Sequence, residues 1–190
     1  TGDSFPTFSL RRLLMQRAAA IIGRETKTDR RAMTTRMDDQ KDNFRQLLTD
    51  SRAETEAVLM GADPQQVIYA ESGWRVKDII AHLMAWEREV ITSIRAYNED
   101  AVYTIPGFSS DDAYNEQVFR RDYDLPFQQL QMDWAAVRAG LIAAIRAIPA
   151  ERWQGQIMCP WKLTSPIDGI VRDMINHEAE HRHDIRSKVD

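Results

Sequence analysis

The sequence predicts an all-α protein, and three observations carry that prediction. Four segments place apolar side chains three or four positions apart, the spacing of one buried helical face. No stretch shows the period-two alternation of a half-buried strand. The 190 residues suffice for one domain with its own core. Four amphipathic helices in that length argue a four-helix bundle.

Charge divides the chain before the first of these helices. Residues 1–36 carry eight Lys/Arg against three Asp/Glu, whereas residues 37–190 carry 17 against 26. Residues 1–36 are therefore read as a basic N-terminal segment and residues 37–190 as the bundle. Gln16 and Arg17 interrupt the short apolar patch over residues 13–22, which argues against a signal peptide. The Arg, Ser and Thr content superficially matches an organelle transit peptide. Two plainer readings stay open: a disordered basic arm, or an early start with Met33 or Met37 as the true one.

The first helix is expected over residues 38–60, with Phe44, Leu47, Leu48, Val58 and Leu59 on its apolar face. Gly61 and Pro64 end it. The second is expected over 76–97, where Val76, Ile79, Ile80, Leu83, Val90, Ile91 and Ile94 form a stripe. A long connection over 98–124 follows, with room for a short helix at 113–119; a loop of that length is usually functional or carries local structure. The third main helix spans 126–148, with Pro126 suited to its first turn. The fourth spans 165–188, with Ser165 as a natural N-cap.

Composition narrows the function classes. A net charge of −4 gives no global case for nucleic-acid binding. No apolar run approaches the ~20 residues of a membrane helix. Cys159 is the single cysteine, so no internal disulfide forms; this fits a reducing compartment, and a cytoplasmic location is expected.

The chemistry concentrates on the last helix, in Asn176-His177-Glu178-Ala179-Glu180-His181-Arg182-His183. His177 and His181 are four apart, so both imidazoles lie on one face and can reach a single metal. On a helical wheel His181 falls within the apolar arc, His177 at its edge and Glu178 near its centre, while His183 points away. On the second helix His82 flanks the apolar stripe on the same side as Trp86. Glu87 falls near the middle of that stripe, where an ionised carboxylate needs a partner. That partner is a metal or ligating histidine on one reading and an arginine from another helix on the other. The H-E-x-x-H pattern also matches a zinc-protease signature. Only nine residues follow His181, however, and nothing predicts the sheet that would hold a peptide.

The stretch from Gly73 to Glu87, with Trp74, His82 and Trp86, resembles the second helix of the DinB/YfiT-like superfamily. The late His177-x-x-x-His181 pair resembles that family's last helix. The resemblance covers about residues 38–187, and the region of Asp111, Asp112, Tyr114 and Asn115 looks most like the ClbS/DfsB branch. It implies a bundle of up-down-down-up topology, with a long crossover between helices two and three. It also implies a metal, zinc or nickel, held by His82, His177 and His181, and a homodimer.

Three histidines leave one position of a tetrahedral zinc for water or substrate. The resemblance includes metal-dependent hydrolases as well as transferases and isomerases that use a low-molecular-weight thiol. Glu178 is the candidate general base or ligand-supporting group, with a buried salt bridge as the competing reading. Trp86 and Trp161 are candidates to line a pocket for a small-molecule substrate, core packing being the plainer role. The expected function is thus a metal-dependent hydrolase or thiol-dependent transferase acting on a small molecule. The alternative is a non-enzymatic stress or self-resistance protein that binds metal or sequesters a toxic ligand.

Overall fold

The computed structural model describes residues 27–189. The expectations for residues 1–26 lie outside these described residues. The described chain is predominantly helical, as expected. Its helices are α1 (Lys27–Leu59), α2 (Val76–Asn98), α3 (Asp111–Asp122), α4 (Phe127–Arg146) and α5 (Ile167–Val189). The four long ones are the four predicted from periodicity, and α3 occupies the long connection. No helix among the described residues is long and apolar enough to cross a membrane.

The first helix begins at Lys27 rather than at position 38. Its buried stripe reads Met37, Lys41, Phe44, Leu48, Ser51, Arg52, Thr55 and Leu59. That face is helical in spacing but partly polar, so hydrophobic periodicity marks only its middle. Leu47, expected on the apolar face, is 44% exposed. Lys41 is buried because its ammonium caps another helix, donating to the carbonyls of Arg146 at 2.9 Å and Ile148 at 2.7 Å. A cation there meets the negative end of the α4 dipole.

Two small antiparallel ribbons correct the strand-free expectation. β1 (Val67–Tyr69) pairs with β2 (Trp74–Arg75), and β3 (Ile157–Met158) pairs with β4 (Thr164–Ser165). Strands of two or three residues are too short for alternation to register. The first ribbon closes through Gly73 at φ +71°, which glycine adopts without strain. Ser165 belongs to β4, and its hydroxyl donates to the Pro166 carbonyl at 3.2 Å, so it does not cap α5 as expected. Likewise Pro126 stands at the N-cap of α4 rather than inside its first turn.

The ribbons position the ends of the bundle. Asp78 accepts the backbone N–H of Arg75 at 2.9 Å and its Nε at 2.7 Å, fixing the point where β2 turns into α2. Ser110 caps α3 by accepting from the Ala113 N–H at 3.2 Å. In the core, α2 packs chiefly on α4 and α1 chiefly on α5. Leu48, Ile79, Ile80, Met84, Leu130, Trp134, Leu141 and Ile145 fill the space between them.

Candidate metal centre

α2 contributes His82 and α5 contributes His177 and His181 to one cluster. Their exposures are 4, 4 and 5%. His82 Nε2 lies 2.9 Å from His177 Nε2, and His181 Nε2 lies 3.2 Å from the same atom. The three residues can offer ring nitrogens within 4.8 Å of one another. With Zn–N bonds of about 2.0–2.1 Å, a tetrahedral ion places its ligand nitrogens about 3.3 Å apart. The two spacings to His177, 2.9 and 3.2 Å, are close to that.

Proton accounting shows how the cluster could serve as a ligand set. An imidazole nitrogen carries either a proton or one lone pair. His177 Nε2 faces both neighbours, and in neither state can it make a full hydrogen bond to each. A cation between three lone pairs would remove the conflict.

The state of His181 follows from its other nitrogen. Its Nδ1 lies 2.8 Å from Tyr69 Oη, and that hydroxyl donates to Asp184 Oδ2 at 2.6 Å. Tyr69 has one proton and gives it to the carboxylate, so it accepts from His181 Nδ1–H. The neutral ring then presents its Nε2 lone pair to the cluster. Burial, with the Asp184 carboxylate opposing, lowers the His181 pKa to about 4. Burial and the neighbouring rings push His82 and His177 well below the ordinary histidine value. All three are neutral at pH 7, the form that binds a metal.

A match to the DinB superfamily model covers residues 47–185, well over half of the chain. The chain belongs to the DinB superfamily. No curated protein and no solved structure matches it. The DinB match spans α2, α3 and α4, most of α5 and the C-terminal part of α1, and it includes all three cluster histidines.

Aromatic rings crowd the His82 side of this DinB site. Trp74 lies 5.2 Å and Trp86 6.4 Å from the His82 ring, centroid to centroid. Trp161 stands 5.9 Å and Tyr114 4.8 Å from Trp86. The structure thus brings the two predicted tryptophans together, with Trp86 beside His82. Trp86 Nε1 donates to Asn115 Oδ1 at 3.0 Å, which ties α3 to α2. Glu89 adds to that tie by accepting from Tyr103 at 2.6 Å and Tyr114 at 2.8 Å. Other predicted residues stand apart. His183 is exposed. Cys159 is buried, and burial raises its thiol to about 12, so it holds no reactive thiolate.

The two buried glutamates resolve toward arginine. Glu87 accepts from Arg52 Nη2 at 3.0 Å and from Arg138 Nη2. Glu178 accepts from Arg52 Nε at 2.9 Å and, on its other oxygen, from Arg138 Nη2. Both Glu178 oxygens therefore face guanidinium groups, which matches the salt-bridge reading of that residue. Sequence reasoning misses Arg52, Arg138 and Tyr69. The one signal for the arginines is the presence of two carboxylates on apolar stripes.

Proposed function

We propose that the protein binds one divalent metal, zinc or nickel, through Nε2 of His82, His177 and His181, and uses it to transform a small molecule. The convergence of three buried, neutral imidazoles, one with its tautomer set by Tyr69 and Asp184, carries this reading. Bound there, the ion supplies Lewis acidity and a coordination position open to an outside ligand. The chain's own residues do the rest. The histidines hold the ion, Tyr69 orients His181, and Trp74, Trp86 and Trp161 offer apolar surface to the organic part of a substrate. Hydrolysis and transfer from a low-molecular-weight thiol both suit an open position of this kind. Glu178 fits better as a structural anchor than as the general base, because arginines engage both of its oxygens.

A second reading, metal or ligand sequestration without turnover, draws on the near-complete burial of the three ligands. Up-down-down-up topology is also part of the proposal: α2 packs on α4, α1 packs on α5, and the connection holding α3 is long enough to cross between parallel helices. Membership of the ClbS/DfsB branch and a homodimer complete it.

Metal analysis of untagged protein tests the centre. Wild type is expected to hold about one zinc or nickel per chain, and His82→Ala far less. Equal, low content in both sinks the three-histidine reading. Cobalt-loaded protein separates the two functions. A visible spectrum that shifts on adding a small thiol supports an open position, and an unchanged spectrum supports sequestration.

A further inference from the structure

The candidate metal ligands come from two helices that touch each other, but each packs more extensively on a different helix. α2 bears His82 and packs chiefly on α4, while α5 bears His177 and His181 and packs chiefly on α1. How α1 and α4 fix α2 relative to α5 therefore bears on the 2.9 Å approach of His82 to His177. Two arginines provide that link. Arg52 of α1 bonds Glu87 of α2 at 3.0 Å and Glu178 of α5 at 2.9 Å. Arg138 of α4 bonds the same two carboxylates.

The arginines also tie their own helices together. Arg52 Nη1 donates to the Trp134 carbonyl of α4 at 3.0 Å, and Arg138 Nη1 donates to the Leu48 carbonyl of α1 at 2.6 Å. The Arg52 guanidinium lies 3.4 Å from the centroid of the Trp134 ring. Glu178 follows His177 directly and Glu87 lies five residues beyond His82, so the brace acts close to the ligands.

We propose that Arg52 and Arg138 are positioning residues of the metal centre, cross-bracing α2 to α5 through Glu87 and Glu178 so that His82 meets His177 and His181. This rests on the metal reading above. Stability alone is a weaker account of the four charges. Buried ion clusters are often no more stable than apolar side chains of similar volume. This cluster also leaves Glu87 Oε2 and Arg138 Nε buried without a hydrogen-bond partner.

Two variants test the brace by zinc titration, with circular dichroism to confirm folding. Arg52→Lys with Arg138→Lys keeps both charges but removes the forked geometry that spans two carboxylates. The quadruple change Arg52→Met, Glu87→Leu, Arg138→Met and Glu178→Leu removes all four charges together. Each is expected to fold and to bind zinc about tenfold more weakly or worse, the loss typical of disturbed ligand support. Wild-type affinity in either folded variant overturns the proposal. Failure of both to fold also overturns it, because the charges would then serve the fold itself. If wild type takes up no zinc, the metal reading falls and the brace is judged without it. The His82 and His177 rings, 4.8 Å apart, should show a proton–proton Overhauser contact in wild type. That contact should vanish in the lysine variant, and its persistence overturns the brace.

Discussion

The histidine cluster and the arginine–glutamate cluster adjoin along α2 and α5, and they reach neutrality in opposite ways. The second contains its own counter-charges: two guanidinium groups and two carboxylates, one from each long helix, all at most 7% exposed. The first contains three neutral rings from two helices, with ring nitrogens converging and no charge among them to balance. One cluster is complete as a set of side chains. On the metal reading proposed above, the other is completed by a cation. On the proposed reading the difference separates two tasks in one bundle, holding helices in register and offering a ligand set to an ion.

Removing one cation from the complete cluster is expected to have the largest effect. Arg138→Met leaves two buried carboxylates sharing Arg52, and losing one partner of a buried ion pair costs about 3–5 kcal/mol. Urea unfolding should show that loss, whereas the exposed His183→Ala should change stability by no more than about 0.5 kcal/mol. Equal effects from the two would mean that the quartet is not buried as described.

Acid should act on the other cluster. His181 has a folded pKa of about 4 against an ordinary value of 6.5. A lowered histidine pKa leaves stability intact above the unfolded value. As pH falls below about 6.5 the unfolded chain takes up the proton first, so stability drops until pH reaches about 4. The shift corresponds to about 3 kcal/mol for His181 in metal-free protein, and His82 and His177 shift in the same direction. Unfolding of metal-free wild type and His181→Gln from pH 7.5 to 4 measures it. Parallel profiles would show that His181 is not held neutral by the fold.

How much of this is legible in the sequence follows from what each residue's neighbours reveal. His82, His177 and His181 are legible because helical spacing puts each on or beside an apolar stripe, where a histidine needs a reason. Glu87 and Glu178 are legible as anomalies for the same reason, but their partners are not. Arg52 lies in a helix so rich in charge that nothing marks it as buried. Arg138 stands beside Val137 in a helix whose apolar stripe is complete without it. Tyr69 sits in a three-residue strand too short to betray its direction, and its meeting with Asp184 spans 115 residues. The four long helices are legible in the same way as the histidines, and their ends are less so. α1 runs from Lys27, and residues 34–36 are exposed there, so no apolar pattern marks that stretch.

Supplying the missing cation should bring the incomplete cluster toward the stability of the complete one. At a free zinc concentration of 100 Kd, binding to the folded state adds about 2.7 kcal/mol. For a chain of this size that raises Tm by about 5–10 °C. Thermal unfolding with and without zinc measures the shift. His82→Ala should lose most of it, and an equal shift in that variant would place the binding elsewhere.

The smallest expected effect is the most specific, because it separates ligand orientation from packing. Tyr69→Phe keeps the ring that packs 6.3 Å from Trp74, centroid to centroid, and removes only the hydroxyl. His181 Nδ1–H then loses its acceptor, and Asp184 loses a donor. The hydrogen bond that favours the tautomer pointing the Nε2 lone pair at the cluster is then gone. Zinc affinity should fall about tenfold, equivalent to about 1.4 kcal/mol. Tyr103→Phe is the control, since it deletes a hydroxyl that donates to Glu89 at 2.6 Å and touches no cluster histidine. It should leave zinc affinity unchanged. If the two variants bind zinc alike, the Tyr69–Asp184 pair is a surface anchor for β1, and His181 owes its orientation to the helix alone.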